Sequence, residues 1–189
     1  MEASSSTDER LIDLADGRIA WREAGAGAPL VLLHGIGSNA GSWARQMKAF
    51  PGYRVLAWDA PGYGASSPLQ QDWPDAGDYA KALSAWLDAL GHLRVSLVGH
   101  SLGCLMAVRF AADHPKRVAS LTLASIAAGH ARLDPAERRR LLDSRIGDVE
   151  ALGPRGMAEK RGPRLLGPKA APAQIRAVVE AMASVNPQG

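Results

Sequence analysis

The chain of 189 residues is poor in cysteine and contains no long apolar run. Its single cysteine, Cys104, excludes an internal disulfide and a zinc site built from several thiolates. No apolar stretch approaches the ~18 residues that a membrane-spanning helix needs. The first residues are acidic and polar, unlike a secretory signal. These absences favour a cytoplasmic protein that has no membrane partner.

Neither sign of charge dominates, because the chain has 22 Lys and Arg and 19 Asp and Glu, which gives a formal net charge of +3. The hydrophobic share of 47% and the charged share of 22% are typical of a globular chain, which excludes disorder of the whole chain. The basic run Arg138-Arg139-Arg140 has no aromatic residues interleaved with it. We interpret it as the solvated face of a helix, and we expect no nucleic-acid partner.

Strand-like and helix-like patterns alternate through residues 1–129. Two short strands flank Asp16-Gly17, a dipeptide that is typical of a hairpin turn. The further predicted strands are 30–33, 53–58, 94–98 and 118–124, and the predicted helices are 41–50, 75–90 and 102–113. This order predicts an α/β fold, with a mostly parallel sheet that carries helices on both faces and an antiparallel hairpin at one edge.

The alternation stops in residues 130–189, which we predict to be a small helical appendage. Asp134 and Pro135 are typical of a helix start, and this helix should run to about Arg145. Residues 153–171 are rich in Gly, Pro and Arg, and we predict a loop there. A second amphipathic helix should cover Pro172 to Val185.

The strongest chemical signal is the run Gly99-His100-Ser101-Leu102-Gly103, between a predicted strand and a predicted helix. A serine on so tight a turn presents its hydroxyl clear of the sheet. Side chains at Gly99 or Gly103 would collide with the neighbouring strand or helix. The N–H of Leu102 lies at the helix start, where donors are free to hold an oxyanion. The alternative is a chance Gly-x-Ser-x-Gly run in a chain with 20 glycines.

Two glycine-containing loops follow other predicted strands. His34-Gly35-Ile36-Gly37 comes directly after the strand 30–33, and the N–H of Ile36 is a candidate second oxyanion donor. The loop 59–66 follows the strand that ends at Trp58, at the sheet edge where open α/β sheets bind ligands. For Asp59 we favour a carboxylate that binds N–H groups of its own loop over a direct catalytic role.

Together these three motifs resemble those of the α/β-hydrolase fold superfamily, in its serine hydrolase branch. The resemblance covers about residues 10–186 and is densest in residues 34–43, 58–66 and 98–115. It implies a catalytic nucleophile at Ser101, an oxyanion hole from Ile36 and Leu102, and a substrate-selecting cap in residues 130–189. From their places in the same loops we expect further residues to support or border the pocket: His34, Gly35, Gly37, Gly99, His100, Gly103 and, in the segment after Ser66, Trp73.

The resemblance implies a hydrolase of small-molecule carboxylic esters or lactones that forms an acyl-Ser101 intermediate. The chain is most similar to lactonases and carboxylic-ester hydrolases, including 3-oxoadipate enol-lactonases. No metal or cofactor is implied, because no His/Cys/Asp cluster has ligand spacing. The partner implied is a small-molecule substrate. A second interpretation is a member of the same fold that binds a small ligand without turnover.

The general base and the acid of a catalytic triad have no candidate at an expected position. Of the two histidines after Ser101, His114 ends a predicted helix, and His130 matches no motif of the family. Asp134, Asp143 and Asp148 lie in the predicted cap. The superfamily continues its sheet after the cap. We therefore predict about six of its eight strands, without the core strands that carry the acid and His. The chain is then a fragment, a truncated gene product or a divergent member that relies on a partner.

Overall fold

A computed structural model describes residues 8–127, 130 and 132–184 of the chain. These residues form two compact units that divide between residues 127 and 128. The first unit contains a six-stranded sheet, and the second is helical. The predicted α/β class and the six predicted strands are therefore confirmed.

The sheet has the strand order β1-β2-β4-β3-β5-β6. β1 (Glu9–Leu14) and β2 (Gly17–Ala24) form the predicted hairpin, and β2 also pairs antiparallel with β4 (Tyr53–Trp58). β3 (Ala28–Leu33) runs parallel to both β4 and β5 (Val95–His100), and β5 runs parallel to β6 (Val118–Ala124). The loops that carry the three motifs thus follow parallel strands and emerge at one end of the sheet.

One face of the sheet is covered by α1 (Ala76–Ala89) and α2 (Leu102–Asp113). Asp75 caps the start of α1, because its carboxylate accepts the N–H groups of Gly77 and Asp78. The indole of Trp86 on α1 packs against the rings of Trp21 and Trp58, each 5.9 Å away between centroids. These buried aromatic contacts hold α1 against β2 and β4.

The other face of β3 and β4 is covered by two short 3₁₀ turns, Ala40–Trp43 and Gln46–Lys48. Ala40 and Met47 bury their side chains against alternate residues of the two strands. The predicted helix over residues 41–50 is therefore wrong. Gly41 and Ser42 have low helix propensity. The side chains of Asn39 and Asp59 also bind the N–H groups of Gly41 and Ala40, which fixes a tighter turn.

The second unit consists of α3 (Pro135–Arg161), a 3₁₀ turn (Gly162–Leu165) and α4 (Pro172–Ala183). α3 is broken at Gly153, whose φ of 62° is left-handed. Pro154 follows as the first residue of a new helical segment, a position that proline tolerates. The predicted loop over residues 153–171 is therefore wrong in its first part, and the first helix ends later than Arg145.

Ion pairs stabilise the broken form of α3. The Asp148 carboxylate accepts from Lys160 Nζ at 2.7 Å and from Arg161 at 2.9 Å. Residues 12 and 13 positions apart would lie ~18–20 Å apart along a straight helix, so these contacts require the break. A bidentate pair between Arg155 and Glu180 joins the second segment of α3 to α4.

Candidate active site

Ser101 lies on a strained turn between β5 and α2. Its φ of 52° and ψ of −113° are rare for a residue with a side chain. The Ser101 N–H donates to the Ala124 carbonyl at 3.0 Å, and the Ser101 carbonyl accepts from Cys104 at 3.1 Å. The turn is thus tied both to the end of β6 and to the first turn of α2. Partial exposure leaves its side chain accessible.

Glycines at positions 99 and 103 are required by close backbone approach. A Cβ at Gly99 would lie 2.6 Å from the Gly103 carbonyl oxygen and 2.8 Å from the Cys104 nitrogen. A Cβ at Gly103 would lie 2.7 Å from the Leu33 carbonyl carbon and 2.8 Å from the His34 carbonyl oxygen. The first contact is with α2 and the second with the end of β3. A side chain at either glycine would therefore collide with backbone, as the sequence predicted.

The loop 34–37 lies directly against the serine. A Cβ at Gly35 would be 3.0 Å from the Ser101 Cβ and 3.1 Å from His100 Nδ1. Ile36, the next residue, is 57% exposed. Leu102 is the first residue of α2, where N–H groups have no partner within the helix. Gly37 ends the loop with a left-handed φ of 70°. The two proposed oxyanion donors therefore belong to two segments: the amide of Ile36 to the loop 34–37, and the amide of Leu102 to the residue after the serine.

The buried side chain of His34 holds this loop in place through two hydrogen bonds. Its side chain is 1% exposed, and its Nε2 accepts the N–H of Ala60 at 3.0 Å. Since Nε2 is an acceptor, the proton resides on Nδ1, which donates to the Gly35 carbonyl at 2.8 Å. Burial lowers the pKa of His34 to about 4, so the ring is neutral at pH 7. The ring also makes an edge contact with Tyr63.

Asp59 joins its own loop, residues 59–66, to the 3₁₀ turn Ala40–Trp43. Its carboxylate is buried and accepts the N–H groups of Ala40 at 2.6 Å and Ala65 at 3.2 Å. The Ala65 bond is the contact within its own loop that the sequence favoured, and the Ala40 bond was not foreseen. Burial raises the pKa of this carboxyl, while the two N–H groups and the charge of Arg22 lower it. Asp59 is thus a scaffold for the loops around Ser101.

Two tryptophans, Trp43 and Trp73, are of interest for the site. The His100 ring makes an edge contact with Trp43, with ring centroids 6.4 Å apart. The sequence alone did not indicate this contact. Trp73 is 72% exposed and makes no ring contact within the described part of the chain. The position of Trp73 beside the pocket stays a prediction.

No hydrogen bond joins Ser101 Oγ to a histidine within residues 8–127. The His100 ring contacts Trp43, as described above. His34 uses both ring nitrogens, as described above. His114 ends α2 at the opposite terminus from Ser101, ~18 Å along the helix, and packs on Phe110. His92 follows α1, before β5. His130 belongs to the second unit, where its carbonyl accepts the N–H of Leu133.

The three aspartates of the second unit have structural partners. Asp134 caps α3, Asp143 pairs with Arg139, and Asp148 holds Lys160 and Arg161. Residues 8–127, 130 and 132–184 contain no group of three His, Cys, Asp or Glu that could hold a metal ion. No helix within those residues is long and apolar enough to cross a membrane.

Known proteins share both the sequence and the fold. The sequence profile of the α/β-hydrolase fold matches residues 28–167. The 2-hydroxy-6-oxo-6-phenylhexa-2,4-dienoate hydrolase of Comamonas testosteroni is 36% identical over 138 residues, which are 69% of this chain and 48% of that protein. The 2-hydroxy-6-oxononadienedioate/2-hydroxy-6-oxononatrienedioate hydrolase of Paraburkholderia phymatum is 42% identical over 112 residues, 56% of this chain and 39% of that protein.

A solved thermophilic esterase from Thermogutta terrifontis superposes on 96% of this chain with a TM-score of 0.81 at 25% identity. The match covers 68% of that esterase, and the chain spans about half the length of the curated relatives it matches. The profile match covers most of the chain, and the strand, strained serine and helix occur in the predicted order. The chain therefore belongs to the α/β-hydrolase fold family.

Proposed function

We propose that this chain carries the nucleophile and oxyanion hole of a serine hydrolase that acts on a small-molecule carboxylic ester or lactone. The observation that carries the proposal is the strained backbone of Ser101, which the glycines at 99 and 103 and the bond to Ala124 hold in place. Strain of ~1–3 kcal/mol is typical of residues that a functional site holds in position.

The reaction follows from the geometry of the site. Ser101 Oγ attacks the substrate carbonyl carbon, and the carbonyl oxygen becomes an oxyanion that the N–H groups of Ile36 and Leu102 stabilise. Breakage of the bond to the leaving oxygen gives an acyl-Ser101 and an alcohol. Water then attacks the acyl group and releases the acid. The proton lost by Oγ passes through a base to the leaving oxygen.

The relatives support the hydrolase class and widen the substrate class. The two relatives above are named for 2-hydroxy-6-oxo-dienoates, whose oxo group is also a carbonyl electrophile. The same serine and oxyanion hole would serve either carbonyl. Substrates of both kinds therefore belong in the first activity screen.

The test is covalent labelling of the purified chain with a fluorophosphonate ester, followed by intact mass measurement. We expect one adduct that is absent in Ser101→Ala. The rate should rise with pH, because the deprotonated Ser101 hydroxyl is the stronger nucleophile. Gly35→Ala should slow labelling about tenfold, since its Cβ would crowd the Ser101 Cβ. Absence of an adduct at any pH, or an adduct that persists in Ser101→Ala, would overturn the proposal.

A second candidate is a non-catalytic member of the same fold that binds a small ligand. The observation that favours it is the engagement of His34 and the remote position of His114. Ligand binding without fluorophosphonate labelling, in a folded sample, distinguishes this candidate from the first.

A further inference from the structure

The second unit contains a cavity of about 490 Å³. This volume lies within the range of ~300–1,000 Å³ that is typical of small-molecule sites. None of the lining residues belongs to the candidate active site, and the proposed hydrolase chemistry uses none of them. The cavity is lined by six residues: Ser144, Asp148, Lys160, Arg161, Arg164 and Leu165.

The break of α3 at Gly153 brings the walls of this cavity together. Ser144 and Asp148 lie four residues apart in the first segment of α3, so they share one face of that helix. Lys160 and Arg161 belong to the second segment, and their bonds to Asp148 hold the two segments against each other. The 3₁₀ turn that follows supplies the last two lining residues. The cavity therefore depends on the bent form of α3.

The cavity has an excess of positive charge. Three of its lining residues are basic and one is acidic, so three positive charges and one negative charge leave +2. Hydrogen bonds from Lys160 and Arg161 lower the pKa of Asp148, so this carboxyl is ionised at pH 7. A ligand with two negative charges would neutralise the remainder.

The basic side chains retain donors for such a ligand. The side chain of Arg164 has no hydrogen bond or ion pair with any other residue that the structure describes. Lys160 and Arg161 each donate one bond to Asp148, although an ammonium group has three N–H donors and a guanidinium group has five. The Ser144 hydroxyl is a further donor. Guanidinium groups bind phosphate oxygens through paired hydrogen bonds, so this donor set favours a phosphate group.

The basic run 138–140 lacks this convergence. Consecutive helix positions are about 100° apart around the axis, so its three side chains diverge. Arg139 pairs with Asp143, and Arg140 donates to the Ala136 carbonyl of the same helix. The run is thus a solvated helix face, whereas the basic residues of the cavity lie around one space.

We propose that the cavity binds a small organic phosphate, with its phosphate group on Lys160, Arg161 and Arg164 and its organic part against Leu165. A phosphate group carries about −1.5 to −2 charge at pH 7, which matches the charge of the cavity. The cavity is larger than one phosphate group, and Leu165 is 68% exposed beside it. The ligand contacts both segments of α3 and the following turn, so its binding stabilises the second unit.

The experiment titrates inorganic phosphate, and separately phenyl phosphate, into the full 189-residue chain by calorimetry at pH 7 and constant ionic strength. We expect one site, with a Kd of about 1 mM for phosphate and a roughly tenfold lower Kd for phenyl phosphate. Arg164→Gln should weaken both at least about tenfold. Arg176→Gln on α4, which removes the same charge from an exposed position outside the cavity, is the matched control and should bind like the wild type.

A second variant tests the place of the organic part. Leu165→Ala should remove the advantage of phenyl phosphate and leave the affinity for inorganic phosphate unchanged. Both changed side chains are exposed, so the variants should fold, and far-UV circular dichroism checks this. In the wild type, phenyl phosphate should shift the unfolding of the second unit to higher urea, and sodium chloride of equal ionic strength should not.

Three results would contradict the proposal. Absence of binding, or equal weakening by Arg164→Gln and Arg176→Gln, would show that the basic residues are solvated surface charges. Benzoate that binds as tightly as phenyl phosphate would assign the cavity to carboxylates. The Ser101→Ala chain should bind phosphate like the wild type, so this site and the proposed hydrolase chemistry can fail independently.

Discussion

At Gly103 the first turn of α2 passes so close to the end of β3 that a single methyl group does not fit. We expect Gly103→Ala to lower the free energy of unfolding by about 3 kcal/mol, because the obstacle is backbone that cannot rotate away. Urea denaturation measures the change. Gly147→Ala in α3 is the matched control, since nothing lies within 4 Å of its Cβ position. It should be neutral or stabilise by up to about 1 kcal/mol. Equal effects of the two variants would contradict the packing argument.

His34 makes the stability of the fold depend on pH. Its pKa is about 4 in the folded chain because of burial, against ~6.5 when unfolded. Between these values the unfolded chain binds more protons, so the free energy of unfolding falls as the pH is lowered from about 6.5 to about 4. The full effect is about 3 kcal/mol. The buried carboxyl of Asp59 acts in the opposite direction, because its pKa is raised.

The variant His34→Gln separates the two groups. The glutamine oxygen can accept the Ala60 N–H but does not titrate, and Asp59 is unchanged. Urea denaturation across this pH range should show a flatter dependence for the variant than for the wild type. Parallel curves would show that His34 does not control this part of the pH dependence.

Among the elements, α1 has its start defined by one side chain. The Asp75 carboxylate accepts two N–H groups, and the Asp78 carboxylate accepts the Asp75 N–H in return. We expect Asp75→Ala to cost about 1 kcal/mol of unfolding free energy. Asp72→Ala, three residues earlier in the exposed segment, should have no measurable effect. A loss of equal size in both variants would indicate a general charge effect instead of a cap.

The regular elements were predictable where local signals agreed with the tertiary environment. β4, α2 and β6 have the predicted bounds, because a local apolar run or helical periodicity defines each of them. In β4 and α2 this pattern also matches the burial. Residues 40–48 were not predictable, because a side chain from residue 59 fixes the turn. The ion pairs of Asp148 were not predictable either, because they form only once α3 has bent at Gly153.

The candidate site also has features that the sequence predicts and features that it does not. The serine turn and its glycines were predictable, because a strand, a tight turn and a helix impose local backbone requirements. The bond from Ala60 to His34 and the contact of Trp43 with His100 were not predictable. Each joins residues far apart in the sequence, and one chain without homologues carries no signal for such pairs.

For the whole molecule, the distribution of the apolar core predicts two unfolding transitions. The fully buried large side chains all lie in the first unit, and Ala158 is the buried apolar residue recorded for the described part of the second. The second unit should therefore unfold at lower urea concentration than the first. All five tryptophans precede residue 87, so their fluorescence reports on the first unit alone. Far-UV circular dichroism also senses α3 and α4.

We therefore expect the dichroism transition to begin at lower urea than the fluorescence transition. A chain that ends at Ala127 should keep the fluorescence transition and lose the early dichroism change. Coincident transitions in the full chain would show that the two units unfold as one cooperative body.

The single thiol of Cys104 reports on local opening of the fold. Its thiol is fully buried between Gly99 and Ala124, where it donates to both carbonyls, so a thiol reagent can reach it only when β5, β6 and α2 separate. Because the sequence has no other thiol, the rate of modification measures how often these elements separate. The modification rate of Cys104 thus reports local opening where β5, β6 and α2 meet below the serine. A ligand or partner that holds these elements together would lower this rate.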